Sequence, residues 1–213
     1  RIVDVFEQGV PPPIDVDRLL SAQVKRYGAN ADTIVVFNEV MYHPPTSEAD
    51  LEWFELYNQN AVDIDLTGWA ISGGVSYEIP AGTVIPGGGF LVIASNPTAL
   101  ESASGFAGAL GPFFGRLDNG GEELSLINRS GREMDGIRYN DRGEWPVAPD
   151  GSGVSVAKLD PLSPGGPGQN WAPSAQLGGT PGAPNFPASG SGSTEFPGLI
   201  SYFRFDEAGG AAS

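Results

Sequence analysis

Between residues 33 and 186, apolar and polar positions alternate in short runs, each closed by a cluster of turn formers. This is the pattern of half-buried β-strands. The runs predict strands over residues 34–41, 53–58, 69–71, 77–79, 90–94, 123–128, 134–139 and 155–158. Within 53–58, alternation sends Phe54 and Leu56 to one face and Trp53, Glu55 and Tyr57 to the other, so one face is core. After Asn119-Gly120, which can make a tight reversal, Leu124 and Leu126 point one way and Glu123, Ser125 and Ile127 the other. Asp65-Leu66-Thr67-Gly68, Pro86-Gly87-Gly88-Gly89 and Arg129-Ser130-Gly131 supply the intervening turns. Seven or eight short strands at this spacing predict a two-sheet sandwich, although spacing alone does not fix strand order. The glycine-rich stretch 100–114 shows no clear period and reads as a long loop, with a helical turn near 98–103.

The pattern changes on both sides of this region. Residues 1–32 read as a linker or the tail of a preceding domain. Val16, Leu19, Leu20 and Val24 fall at helical spacing there and predict one short helix over 15–27, with Asp15 as a candidate cap and Gly28-Ala29-Asn30 as a stop. Residues 187–197 contain Ala188-Ser189-Gly190-Ser191-Gly192-Ser193, a flexible linker by composition. Residues 198–213 open a new unit, an incomplete β segment whose first strand is 198–205. The chain therefore reads as a fragment of something longer.

Composition narrows the function classes. With 31 glycines and 19 prolines the chain favours many short strands over long helices. Its net charge of −15, from 26 acidic against 11 basic residues, repels phosphate backbones and anionic headgroups. Nucleic acid is not an expected partner. The absence of cysteine excludes disulfides, thiolate metal sites and cysteine nucleophiles. No run of about 18 apolar residues suggests membrane insertion.

Several pieces, taken in order, resemble one family. "NEVMYHPP" from Asn38, "EWFELYN" from Glu52, "DLTGW" from Asp65, "IPGGGFLVI" from Ile85 and "LDNGGEELSLIN" from Leu117 are followed by the 135–139 segment. "WP" at Trp145, "NW" at Asn170 and "GTPGAPN" from Gly179 complete the series. Together they resemble the lamin tail domain, found in nuclear lamins and in many bacterial surface and secreted proteins. The resemblance implies an immunoglobulin-like β-sandwich over residues 33–186. It also implies a non-catalytic binding, adhesion or scaffold module within a larger extracellular or cell-surface bacterial protein. "GLISYFRFDEAGG" from Gly198 resembles the opening strand of a concanavalin-like, laminin-G-like domain. The expected partners are a protein or glycan surface ligand and the flanking domains of the same chain.

Candidate chemistry is sparse. His43 is the only histidine, so any serine–histidine triad would need it, and no GxSxG elbow accompanies it. Glu39 and Glu55 fall on two early strands that can be neighbours, which makes them the candidate carboxylate pair for a cation such as calcium or for sugar chemistry. The plainer alternative is that each accepts hydrogen bonds from loop backbone or pairs with an arginine such as Arg138. No cofactor is otherwise implied. Carbohydrate or calcium binding in the service of an enzyme domain elsewhere is the alternative function. Trp53, Trp69, Trp145 and Trp171 would stack on sugars if exposed; as parts of strand and turn motifs, most are expected to be buried.

Overall fold

The computed structural model describes residues 34–46 and 48–186. The expected helix at 15–27, the linker at 187–197 and the β segment at 198–213 lie outside the described residues.

Every predicted strand is present, with ends shifted by a few residues at most. In chain order the elements are β1 (Val35–Met41), α1 (Glu48–Leu51), β2 (Trp53–Asn58), β3 (Ile64–Asp65), β4 (Ala70–Gly73), β5 (Val75–Glu78) and β6 (Val84–Ile85). There follow β7 (Phe90–Ala94), α2 (Pro97–Ser104), β8 (Phe114–Gly115), β9 (Gly121–Ile127), β10 (Glu133–Asn140), β11 (Val156–Lys158) and β12 (Trp171–Pro173). Two five-stranded sheets face each other, one ordered β12-β11-β1-β2-β7 and the other β10-β9-β4-β5-β8. All the named strand pairs are antiparallel. This is the two-sheet sandwich that the alternation predicts.

Phe37, Val40, Phe54, Leu56 and Ile93 from the first sheet meet Ile71, Leu124, Leu126, Ile137 and Tyr139 from the second in one buried cluster. The β3–β6 ribbon contributes Ile64 and Ile85 to the same core. Asn58, at the end of β2, donates its side-chain amide to the carbonyls of Val62, Ile85 and Pro86 and so ties the ribbon to the sheet.

A bulge between Phe37 and Glu39 changes the parity of β1. It lets Val35, Phe37 and Val40 all reach the core while Glu39 and Met41 face outward. The Phe37 N–H donates to Asp135 Oδ2 of β10 at 2.8 Å, a bond from one sheet to the other.

The stretch 100–114 differs from the expected long loop at its start, where α2 runs for two turns. Asn96 caps it by accepting from the Ala99 N–H at 3.1 Å, Pro97 pre-sets the first turn, and Gly105 ends it at φ +76°. Leu100 presses α2 onto Met41, Trp53, Val92 and Ala94, on the side of the first sheet away from the main core.

Candidate functional site

Glu39 and Glu55 are register partners on β1 and β2, both with no exposed surface. Alternation along β2 and the bulge in β1 turn both side chains to the outer face of the first sheet. Over that face lies a strap, residues 174–186, which follows β12 and crosses back above the strands. The carboxylates are its anchors. Glu39 accepts from the Thr180 N–H at 3.0 Å, from the Thr180 hydroxyl at 2.7 Å and from the Ser155 hydroxyl. Glu55 accepts from the Gly182 N–H at 2.6 Å and from the Asn38 amide at 2.8 Å.

Asn185 completes the attachment. Its amide donates to the backbone carbonyls of Asn38 at 3.0 Å and Lys158 at 2.8 Å, and its oxygen accepts from the Asn38 side chain at 3.0 Å. The approach is close enough to demand glycine at two points. A Cβ on Gly179 (φ +77°) would sit 2.7 Å from both Glu39 Oε1 and Trp53, and one on Gly182 (φ +77°) 2.1 Å from the Phe106 ring.

Burial disfavours ionisation of both acids. The Glu39 carboxyl is raised above its ordinary range by desolvation, which the bonds from Ser155 and Thr180 offset in part. Desolvation, reinforced by the neighbouring Glu39, pushes Glu55 up to about 8 against the bonds from Asn38 and Gly182. The arrangement suits a structural clamp: two carboxyl groups supply acceptors to the Thr180 and Gly182 N–H groups of the strap.

The pairing of Glu39 with Glu55 was foreseeable from their strands, but Asn38, Ser155, Thr180, Gly182 and Asn185 were not marked as their partners. "GTPGAPN" was the available signal. Arg138 is not a partner of either acid; its Nε lies 3.9 Å from Glu123 Oε2 on the exposed side of the second sheet. Among the described residues, no three His, Asp or Glu side chains gather as a metal-holding group.

A third acid is buried in the same way. Glu52 Oε2 accepts from the Leu117 N–H at 2.9 Å, with Arg116 Nε 3.5 Å from its other oxygen. His43 Nδ1 lies 2.5 Å from Asp150 Oδ1 on a partly exposed loop. Three exposed acids serve local turns: Asp65 accepts from Thr67 and is lowered by it, Asp118 accepts from Gly120, and Asp63 accepts from Gly87. Trp53, Trp69 and Trp171 are buried, and Trp145 is half-buried with its ring centroid 5.7 Å from that of Trp171.

The lamin tail domain family matches residues 29–141, more than half of the chain. The chain belongs to the lamin tail domain family. Immunoglobulin-like and non-enzymatic are the family's attributes, and the antiparallel sandwich agrees with the first of them. The family match stops at β10, yet β11, β12 and the strap complete the first sheet of this lamin tail domain and cover its outer face. No curated protein matches the chain.

Proposed function

We propose that this lamin tail domain is a non-catalytic binding or scaffold module of a larger, multi-domain surface or secreted protein, attached through one end of the sandwich and offering the other to a partner. The observation that carries this reading is that Ile34 and Phe186, through which the sandwich joins the rest of the chain, lie at the same end of it. The Ile34 carbonyl accepts from Gln59 just beyond β2, and Phe186 lines a pocket of about 440 Å³ with Tyr57 and Phe90. Both points lie at the Val35–Asn58 end of the β1–β2 pair. The Met41–Trp53 end, roughly 20 Å away along a seven-residue strand, carries α1, α2 and an apolar pocket. Loops and short helices on a rigid sandwich are the usual seat of recognition. The spending of the buried acids on the strap also supports a structural role for them.

The test is to assay the full chain against sugar, ester and nucleic-acid substrates, with a glycan array and calcium calorimetry alongside. The expected result is no turnover. Hydrolysis at an enzyme-like rate that disappears in His43→Ala or Glu55→Gln would overturn the reading. Calcium uptake abolished by Glu39→Gln would instead favour a cation- or carbohydrate-binding accessory module.

A further inference from the structure

Where the strap ends, the outer face of the first sheet is left partly open. Tyr57 and Phe90, register partners on β2 and β7, stand there half-buried with ring centroids 5.1 Å apart. They line a hollow of about 440 Å³ together with Pro184 and Phe186 of the strap and Leu159 and Pro161 of the loop after β11. Leu159 stays 53% exposed and Phe186 half-buried. Since a dry cavity of roughly 150 Å³ holds a benzene ring, the hollow has room for two aromatic side chains.

Three polar side chains on its walls are already committed. The Asn38 amide donates to Glu55 and Asn185, the Asn185 amide donates to the carbonyls of Asn38 and Lys158, and Asp160 Oδ1 accepts from the Leu162 N–H at 2.9 Å. A polar ligand would have to compete for them, whereas the aromatic and aliphatic walls suit an apolar occupant.

The chain itself supplies one. It leaves the sandwich from Phe186, a wall of the hollow, and after residues 187–197 reaches Leu199, Ile200, Tyr202, Phe203 and Phe205. A flexible linker of that length has a root-mean-square span of roughly 17–20 Å, enough to turn back to its own starting point and hold the segment at a local concentration on the order of millimolar. The other side of the sandwich offers less: residues 28–33, ahead of Ile34, carry no large apolar side chain, and Ile34 lines no part of the hollow.

We propose that this hollow is the docking site for residues 199–205 of the same chain, with Phe203 and Phe205 seated against Tyr57, Phe90 and Phe186. Spaced two apart, the two rings project to one side of an extended segment and fill the hollow together. The docking rests on the reading of the sandwich as a module attached at this end. It makes the attachment a fixed contact in place of a loose tether, so the unit that begins at residue 198 is held in one orientation to the sandwich.

The chain has no cysteine, so one introduced thiol reports on the hollow alone. Leu159→Cys, at an exposed position, is made in the full chain and its alkylation rate followed, with circular dichroism to confirm the fold. Adding Phe203→Asp and Phe205→Asp should speed alkylation at least about fivefold, while Val24→Asp with Tyr27→Asp should leave the rate unchanged. The protection should persist on dilution. Equal rates with and without the substitutions at 203 and 205 overturn the proposal. So does a rate that rises only with the substitutions at 24 and 27, which makes the preceding segment the occupant, or protection lost on dilution, which makes it a second copy of the chain. None of these results touches the module reading, which is decided by turnover in the assays above.

Discussion

The two sheets of this lamin tail domain share one core but treat their outer faces in opposite ways. In the second sheet, β9 alternates: Leu124 and Leu126 are buried, Glu123 is exposed, and Ser125 and Ile127 are only partly covered. In the first sheet β1 is buried at all seven positions, because α2 covers one part of its outer face and the strap another. Covering a second face puts polar side chains out of reach of water. Here that demand is met by acids whose oxygens take up the donors of the covering segment. The same residue type is therefore structural on one sheet and ordinary surface on the other.

Four substitutions test that contrast. The largest effect is expected for Glu39→Ala, which leaves the Thr180 N–H, the Thr180 hydroxyl and the Ser155 hydroxyl without their acceptor. About 3 kcal/mol or more of stability should be lost, read as a fall in the urea midpoint. Glu55→Gln probes the same face through pH. In the folded chain Glu55 holds its proton to about pH 8, against 4.5 ordinarily, so unfolding releases a proton between these values. The stability it contributes is complete below about pH 4.5 and is lost as pH rises to about 8. Urea titrations between about pH 5 and pH 9 should show a fall of about 2 kcal/mol or more in the parent chain that Gln, unable to ionise, makes shallower, the remaining slope coming from Glu39. An equal slope in both proteins would contradict the burial of this carboxyl.

Smaller changes lie elsewhere. Asp135→Ala removes the bond from β10 to the Phe37 N–H and should cost about 2 kcal/mol, since it takes the side-chain acceptor away from the amide of a fully buried residue. Glu123→Ala, on the solvent face of the second sheet, should stay within about 0.5 kcal/mol of the parent. A cost there equal to that of Glu39→Ala would erase the distinction between the sheets.

Period-two alternation made the long strands legible. Trp53–Asn58 shows why: Phe54 and Leu56 reach the core, and Trp53 lies in the second cluster behind it. Strands β3, β6 and β8 have two residues each and β12 three, too few to establish a period. Helix α2 was legible only as a turn, although Asn96-Pro97 and Gly105 mark its two ends. The clamp was the least legible part. The Glu39–Thr180 bond spans 141 positions and depends on a bulge that alternation alone cannot reveal, so "GTPGAPN" could be read as an ending but not as a cover.

The central claim is that the strap is held on the first sheet by its side-chain anchors, and amide hydrogen exchange measures this directly. In the parent chain the Thr180 and Gly182 N–H groups, bonded to Glu39 and Glu55, should exchange slowly. Asn185→Ala, which removes the bonds to the Asn38 and Lys158 carbonyls, should strip that protection while leaving β9 protected. Exchange at Thr180 and Gly182 that is already fast in the parent chain, or unchanged in Asn185→Ala, would contradict the account.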